Sequence, residues 1–367
     1  MSGSTADTHR RLVAIGGGLS RDNADVYHAI LRGRDGPGPI CVIPTASADP
    51  DAAVESAISS FDRYGGPGTA IGLPLSVESP VSAYDAGIVD MVNRCSGFYF
   101  SGGVQSRILT VFRPGGLVSP VHAAVMARFQ EGAVVAGSSA GAAILSHPMI
   151  AGGTSASAVI RGVTSSDDDD AGVIITAGLG YVTGMLMDQH FLARGRIGRL
   201  LVAVDLLPDV ELAFGIDENT ALVIHGDSAW PVGASGVVVI DERGVDGDTG
   251  GVHDDAGDLV LHLLSAGDRF SISTGRVTTD PVKTAVIRAA AMPAVPEDIF
   301  GRWQFLHLLA AFGAASTDEI SVPIEGGTVL LRRTPETAAL RLPGTGVQGT
   351  AAGLTVTNLR IGIPRRD

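Results

Sequence analysis

The stretch AVVAGSSAGA, residues 133–142, is the part of the sequence that decides the fold. Its first four residues are apolar, as in a buried strand, and small residues follow at once. Gly137, Ser139 and Gly141 match the pattern G-x-S-x-G, in which a serine occupies a strained turn from a strand into a helix. We therefore interpret Ser139 as a candidate nucleophile, although a turn rich in Gly and Ser is also expected in a chain with 49 glycines.

Strand-like and helix-like segments alternate upstream of this turn. Predicted strands cover residues 11–15, 40–44, 69–74 and 97–100, and predicted helices cover 22–31, 52–64 and 84–93 between them. Alternation of this kind with apolar strands indicates a parallel sheet that is covered by helices on both faces. We expect a three-layer α/β fold with a mostly parallel sheet and a ligand site at the carboxyl ends of its strands.

The last third of the chain has a different pattern. It contains predicted strands at 237–241, 259–264 and 270–274, a predicted helix over 296–315, and short β segments over 320–364. We divide the chain into an α/β domain, residues 11–275, and a strand-rich C-terminal extension, residues 286–367. The extension is either a small appended domain or an oligomerisation element, and its role stays open.

The amino-acid composition excludes several classes of protein. The chain has 367 residues, with 26 Lys and Arg against 39 Asp and Glu, for a net charge of −13. A chain that is acidic and 45% hydrophobic is expected to be globular and not to bind nucleic acid, which requires a basic face. Two cysteines are too few for a disulfide framework or a structural zinc site, and Cys41, in an apolar run, is interpreted as a buried apolar residue.

Two segments bear on location. The N-terminal MSGSTADTHRR has two arginines but no apolar run behind them, so no signal peptide is predicted. Residues 132–160 lack Asp, Glu, Lys and Arg over a length that could cross a bilayer. Their Gly and Ser content, Pro148 and the strand-turn-helix pattern argue against a membrane span. We expect a cytoplasmic protein that does not bind membranes.

A serine nucleophile needs a general base and a carboxylate that orients the base. His190 lies in MDQHFLARGRIGR, residues 187–199, where polar groups are dense between apolar stretches. Glu218 follows the apolar residues 212–214 and is expected at a strand end, with Asp217 pointing to the opposite side of an extended chain. The first segment also fits a solvated loop, and the second also fits an acidic hairpin turn.

Backbone donors for an oxyanion are expected beside the serine. The N–H of Ala140, the next residue, is one natural donor. Gly102 or Gly103, after the predicted strand at 97–100, is the second candidate, because glycine lets the backbone approach a substrate closely. An ordinary strand-ending turn is the alternative interpretation of this glycine pair.

Four segments occur in the same order as in the cyanophycinase and peptidase E family of serine peptidases, which the chain resembles over about residues 11–275. These segments are SGGVQ at 101–105, GSSAGA at 137–142, DQHF at 188–191 with the three arginines that follow, and GIDENTAL at 215–222. The glycine turn at Gly16 and the run IPTAS at 43–47 are also similar to that family. The arginine spacing is more like the cyanophycinase branch than the dipeptidase branch.

The resemblance implies a flavodoxin-like or class I glutamine amidotransferase-like fold and a catalytic triad of Ser139, His190 and Glu218. It also implies exopeptidase hydrolysis of cyanophycin to β-Asp-Arg dipeptides through an acyl-enzyme. Cyanophycin is a poly-aspartate backbone with arginine amide-linked to each side-chain carboxylate, and arginine side chains bind carboxylates through paired hydrogen bonds. The residues that the resemblance places in the substrate pocket are Gln105, Asp188, Gln189, Arg194, Arg196 and Arg199.

The sequence departs from the family in two places. Val104 stands where a polar residue is usual, and the segment beyond about Arg288 has no counterpart in the shorter members. The first departure makes isoaspartyl dipeptides, or other small acidic peptides, an alternative substrate. A degenerate family member that acts as a binding or assembly module is a second alternative, which the complete Ser-His-Glu set disfavours.

No cofactor or metal is predicted. The run Asp167–Asp170 lacks the D-x-D-x-D-G spacing of a calcium-binding loop, and residues 16–21 lack the third glycine of a dinucleotide-binding loop. The expected partners are a peptide substrate and a second copy of the chain in a homodimer, because homodimers are the commonest oligomers.

Overall fold

The computed structural model describes residues 10–165, 168–243, 259–289, 291, 294–347 and 349–363. The α-helices of this part of the chain are α1 Ala24–Leu31, α2 Pro50–Gly65, α3 Ala86–Asn93, α4 Gln105–Phe112, α5 Pro120–Glu131, α6 Ala140–Ala143, α7 Ser155–Arg161, α8 Ile197–Leu206 and α9 Gln304–Ala314. The strands are β1 Arg11–Ile15, β2 Ile40–Ile43, β3 Ala70–Gly72, β4 Gly97–Phe100, β5 Val134–Ser138, β6 Ser146–His147, β7 Met149–Gly152, β8 Val163–Thr164, β9 Val173–Thr176, β10 Val182–Thr183, β11 Met185–Asp188, β12 Leu212–Ile216, β13 Thr220–His225, β14 Ser228–Gly233, β15 Gly236–Asp241, β16 Leu259–Ser265, β17 Arg269–Ser271, β18 Val277–Thr278, β19 Thr284–Ala285, β20 Glu319–Ile324, β21 Gly327–Arg341 and β22 Leu354–Gly362.

The first sheet has nine strands in the order β18-β17-β14-β13-β1-β5-β4-β2-β3. Strands β1, β5, β4, β2 and β3 are parallel to one another. From β1 through β13 to β18, neighbouring strands are antiparallel. The sheet is therefore mixed, and the expectation of a mostly parallel sheet holds for the half that leads to Ser139.

Helices cover both faces of the parallel half. Successive side chains of a strand point to opposite faces, and β1 follows this rule. Val13 and Ile15 are buried in one cluster with α1 and α2, whereas Leu12 and Ala14 are buried in another with α3, α4 and α5. This arrangement confirms the three-layer α/β architecture, with the carboxyl end of β5 open to the site described below.

The second sheet joins the extension to the rest of the molecule. Its strand order is β11-β12-β15-β16-β22-β21-β19, and β20 pairs with β21. Strand β22 of the extension lies between β16 and β21. Apolar side chains of α8, α9 and this sheet are buried in one cluster. The extension therefore continues a sheet that begins at Met185, and it shares the core of that sheet.

The extension differs from expectation in the start of its helix and in the length of its strands. The helix predicted over 296–315 begins only at Gln304, because Trp303 has a left-handed φ of 57° and donates its N–H to the Leu192 carbonyl (2.8 Å). The short β segments predicted over 320–364 include two long strands, β21 with 15 residues and β22 with 9 residues. Pro335 does not end β21, because the register shifts between Arg333 and Ala338 and the proline lies in that irregularity.

Cys41 and Cys95 form a disulfide, with their Cα atoms 5.9 Å apart. Cys41 lies in β2, and Cys95 lies just before β4, the neighbouring strand. The parallel pairing brings together two residues that are 54 positions apart in the sequence. Both residues are buried, as expected for Cys41, but the bond between Cys41 and Cys95 was not predicted from the sequence.

Among the described residues, no helix combines the length and the apolar character needed to cross a membrane. The uncharged stretch 132–160 contributes strands β5 to β7 and helices α6 and α7 instead. Residues 1–9, which include most of the segment searched for a signal peptide, and Asp167 of the acidic run lie outside the described residues.

Candidate active site

Ser139 occupies the turn between β5 and α6, with a φ of 54° and a ψ of −111°. A positive φ is uncommon for a residue with a Cβ and marks a strained backbone. A Cβ on Gly137 would overlap the Gly141 carbonyl, and a Cβ on Gly141 would overlap the Phe100 carbonyl. Both glycines are therefore needed for the turn to close, which is the physical basis of the G-x-S-x-G pattern.

His190 and Glu218 complete a line of three hydrogen-bonded side chains. His190 Nε2 lies 2.9 Å from Ser139 Oγ, and His190 Nδ1 lies 2.7 Å from Glu218 Oε1. His190 follows β11 and Glu218 follows β12, which are adjacent parallel strands of the second sheet. With Nδ1–H donated to the carboxylate, Nε2 is left to accept the proton of the serine.

The glycine turn at residues 16–18, at the end of β1, holds the backbones of the three segments together. Three successive carbonyl groups, from the last residue of β1 into the turn, each accept one backbone N–H. The bonds run from Ser139 to Ile15 (2.9 Å), from His190 to Gly16 (2.7 Å) and from Asn219, beside Glu218, to Gly17 (2.8 Å). The φ of Gly17 is +92°, and a Cβ there would overlap the imidazole of His190. Gly17 thus leaves the space that the imidazole occupies.

Two backbone N–H groups beside the serine are available to an oxyanion. Within the described residues, neither the Ala140 N–H nor the Gly102 N–H donates a hydrogen bond. A Cβ on Gly102 would lie 3.4 Å from the Cβ of Ser139, so Gly102 borders the serine directly. Gly103 instead packs on Ala46, whose carbonyl a Cβ would overlap. Of the two glycines, the structure places Gly102 next to Ser139.

Asp188 and Arg199 form an internal ion pair. Their side chains are 1% and 4% exposed. Arg199 Nε donates to one carboxylate oxygen at 2.8 Å, and its Nη2 donates to the other. Burial alone would raise the pKa of Asp188, but the charge and hydrogen bonds of Arg199 outweigh this effect and hold the pKa below its ordinary value. The pair has no surface left for a substrate, which corrects the expectation that both residues line the pocket.

The other two arginines of this turn are less enclosed. Arg196 is half-buried and donates to the Gln189 carbonyl at 2.6 Å. Arg194 is exposed, and its backbone N–H donates to the His190 carbonyl at 2.9 Å. Arg194 is therefore the most open of the three arginines to a bound substrate.

The two glutamines of the predicted pocket have different hydrogen-bond partners. Gln189 is buried, with its Oε1 3.4 Å from Ser139 Oγ. Gln105, the first residue of α4, donates its side-chain amide to the Ala151 carbonyl. Val104, just before it, is 49% exposed. The structure thus places Gln189 at Ser139, and it joins Gln105 to β7.

The surroundings of His190 favour its neutral form. Burial lowers its pKa below the ordinary value of 6.5, and the positive charges of Arg194 and Arg196 lower it further. The hydrogen bond and charge of Glu218 oppose these effects without cancelling them. A neutral imidazole near pH 7 is the form that can accept a proton from a serine hydroxyl.

Comparison with known proteins identifies the family. A sequence profile of peptidase family S51 matches residues 12–231. The chain belongs to peptidase family S51. A protein named cyanophycinase from Nostoc sp. strain PCC 7120 is 31% identical over 274 residues, which cover 72% of this chain and 86% of that protein. A cyanophycinase from Synechococcus elongatus is 33% identical over 245 residues, which cover 65% of this chain and 71% of that protein. This S51 member is a serine peptidase.

A solved structure supports the fold. The crystal structure of a peptidase from an acI-B1 Actinobacterium has a TM-score of 0.51 and 22% sequence identity to this chain. The match covers 72% of this chain and 98% of the other. The shared architecture agrees with the α/β class predicted from the alternating strands and helices.

Several residues outside the predicted site support it. Asp217 is buried, which raises its pKa, and its carboxylate accepts the Ala193 N–H (2.9 Å) and the Ser235 hydroxyl (2.7 Å). Asn219 has a φ of 53°, and Asn in an acidic turn is a recognisable signal for that conformation. Nothing in the local sequence points to Ser235, because its partner lies 18 positions away.

Proposed function

We propose that this S51 serine peptidase hydrolyses cyanophycin from a chain end to β-Asp-Arg dipeptides, with Ser139, His190 and Glu218 as its triad. The observation that carries the proposal is the line of hydrogen bonds from Ser139 through His190 to Glu218, at 2.9 and 2.7 Å, on a strained turn. Relatives that carry the name cyanophycinase support the substrate class.

The mechanism is acyl transfer in two halves. His190 Nε2 takes the proton of Ser139 as Oγ attacks the scissile carbonyl, and it then gives this proton to the leaving amine. Glu218 holds the imidazole in the reactive orientation and stabilises its cation. Water, deprotonated by His190, hydrolyses the ester on Ser139. The backbone N–H groups of Ala140 and Gly102 are the proposed donors to the oxyanion in both halves.

Substrate recognition is assigned first to Arg194. Units of cyanophycin carry carboxylate and guanidinium groups in alternation, and an exposed guanidinium near the base suits a carboxylate of the substrate. Arg196, Gln189 and Gln105 are proposed to border the same site. Asp188 and Arg199 are proposed to act indirectly, because their buried pair fixes the two ends of the turn that carries His190.

Small isoaspartyl peptides are the second candidate substrate. The observation that favours them is Val104, an apolar side chain that is 49% exposed one position before Gln105, where a polar contact to a longer substrate is expected. The non-catalytic binding module has no such support, since the chain is a serine peptidase by family.

The test uses purified wild type and Ser139→Ala on insoluble cyanophycin, with a panel of isoaspartyl dipeptides beside it. We expect only the wild type to solubilise the polymer and to release β-Asp-Arg, identified by mass. Cleavage of the dipeptides alone, dependent on Ser139, would move the substrate to small peptides. Equal activity of Ser139→Ala on either substrate would contradict the mechanism.

The cellular location and the oligomeric state of the protein stay predictions. The disulfide between Cys41 and Cys95 bears on the expected cytoplasmic location, because disulfides are rare in the cytosol. Titration of thiols in the protein, denatured directly from its native host cells, would detect two thiols if the compartment is reducing. Sedimentation of the purified protein would test the expected homodimer.

A further inference from the structure

The C-terminal extension lies outside the S51 match, which ends at residue 231, yet it packs on the turn that carries the base. The Trp303 N–H donates to the carbonyl of Leu192, two residues after His190, at 2.8 Å. Ile299, Phe305 and Leu306 of the extension share one buried cluster with Phe191 and Leu192. The extension thus packs against the residues that directly follow His190.

Two glycines in the arginine-rich part of this turn fit the extension closely. Gly195 has a φ of +59°, and a Cβ on it would overlap the Phe300 carbonyl. A Cβ on Gly198 would lie 2.8 Å from the ring of Phe300, closer than real Cβ contacts come. Glycine therefore occupies the two positions among Arg194, Arg196 and Arg199 at which Phe300 packs closely against the segment.

A buried polar chain links the extension to the other side of the site. The Ala351 N–H donates to Ser235 Oγ at 2.9 Å, and the Ser235 hydroxyl donates to Asp217 at 2.7 Å. The same carboxylate accepts the Ala193 N–H at 2.9 Å. Asp217 immediately precedes Glu218, and Ala193 is three residues from His190. The chain therefore ties the base segment and the acid segment to each other and to the extension.

We propose that Phe300, Trp303 and Ala351 of the extension form a positioning element of the active site. Phe300 and Trp303 hold the turn after His190, while Ala351 acts through Ser235 and Asp217 on the backbone beside Glu218. This inference rests on the proposed triad, because it assigns to the extension the geometry of His190 and Glu218 relative to Ser139. A displacement of about 1 Å at such a distance costs on the order of a hundredfold in rate.

The test compares Phe300→Ala and Ser235→Ala with the wild type, all as full chains. Two rates are measured well below each melting temperature: kcat on the substrate that the wild type cleaves, and labelling of Ser139 by a small neutral fluorophosphonate. We expect both rates to fall about tenfold in each variant, with the KM of Ser235→Ala within about twofold of the wild type. The reagent carries no carboxylate, so labelling reports on Ser139 and His190 independently of Arg194.

Two controls separate positioning from stability. Phe300→Leu keeps an apolar side chain against the turn and is expected to retain both rates within about threefold. Ser96→Ala is the matched control for Ser235→Ala, because Ser96 is equally buried, lies just before β4 at the end of the sheet away from the site, and donates to the Gly38 carbonyl. We expect it to lower the melting temperature without changing either rate.

The outcomes distinguish this inference from the proposed function. If Phe300→Ala and Ser235→Ala lower the melting temperature but keep wild-type rates, the extension only stabilises the fold and the inference is wrong. If the wild type cleaves neither cyanophycin nor isoaspartyl peptides but is labelled on Ser139, only the proposed function fails, and the labelling rates decide the inference. A wild type that neither cleaves nor reacts contradicts both.

Discussion

The proposed nucleophile and the proposed base of this site are held by different kinds of structure. Ser139 depends on glycines within two residues of it, and the turn closes through contacts with Gly141 and Phe100. His190 depends on residues that are remote in the sequence, including Gly16, Gly17 and the extension around Phe300. The comparison teaches that a local motif can specify a strained nucleophile, whereas the orientation of the base is a property of the assembled fold.

The largest expected effect lies on the nucleophile side. Ser139→Ala should lower kcat by at least ~10³-fold with no loss of stability, because the attacking oxygen is removed and the buried core is untouched. The buried neighbour Ser138 supplies the control, and Ser138→Ala should stay within about tenfold of the wild type. Steady-state kinetics and thermal unfolding measure both variants, and equal losses in the two would show that the turn matters rather than the hydroxyl.

The next effect tests whether a remote glycine controls the base. Gly17→Ala should lower kcat on the order of a hundredfold, since the new Cβ would occupy the space of the His190 ring. Gly66→Ala is the matched control: its φ of +89° is close to the +92° of Gly17, but no atom lies within 4 Å of its added Cβ. Both variants place an L residue at a positive φ, but Gly17→Ala should lose more stability, because only its added Cβ overlaps another residue. Similar kcat values in the two would refute the role of Gly17.

Two arginines after His190 are expected to have different roles, Arg199 in stability and Arg194 in substrate binding. Arg199→Gln should cost about 3–5 kcal/mol of unfolding free energy, because the buried Asp188 carboxylate loses its two-point ion pair and keeps the more distant Arg196, at 3.6 Å, as its charged partner. Arg194→Gln should leave stability within about 0.5 kcal/mol and raise KM about tenfold, because its side chain is exposed. Denaturant unfolding and kinetics on the same preparations check this contrast. A stable Arg199→Gln protein with raised KM would reverse the assignment.

The smallest effect concerns pH. His190 acts as a base only when neutral, so activity should rise with pH through its pKa and level off above it. Burial and the neighbouring arginines lower that pKa below 6.5, so the midpoint of the acidic limb of kcat/KM should lie below pH 6.5. Arg194→Gln removes one of these charges and should move the midpoint toward higher pH. A wild-type midpoint above 6.5 would contradict this electrostatic account.

The sequence predicted much of the fold, because apolar strands alternating with helices specify their layers locally. Ser139 was also accessible, since its glycines are near neighbours in the chain. The antiparallel half of the first sheet and the Cys41–Cys95 disulfide were missed, because both depend on strand neighbours that are remote in sequence. The pairing of Asp188 with Arg199 was also missed. The local sequence pattern does not show that both side chains are buried, and two buried opposite charges pair with each other.

The central claim is that Ser139 is the residue activated by His190 and Glu218. The most direct test is to treat the wild type with a fluorophosphonate and to map the modified residue by peptide mass spectrometry. We predict a single adduct on Ser139, which His190→Ala nearly abolishes and Glu218→Gln slows. An adduct on another serine, or labelling of Ser139 at the same rate in His190→Ala, would contradict the account.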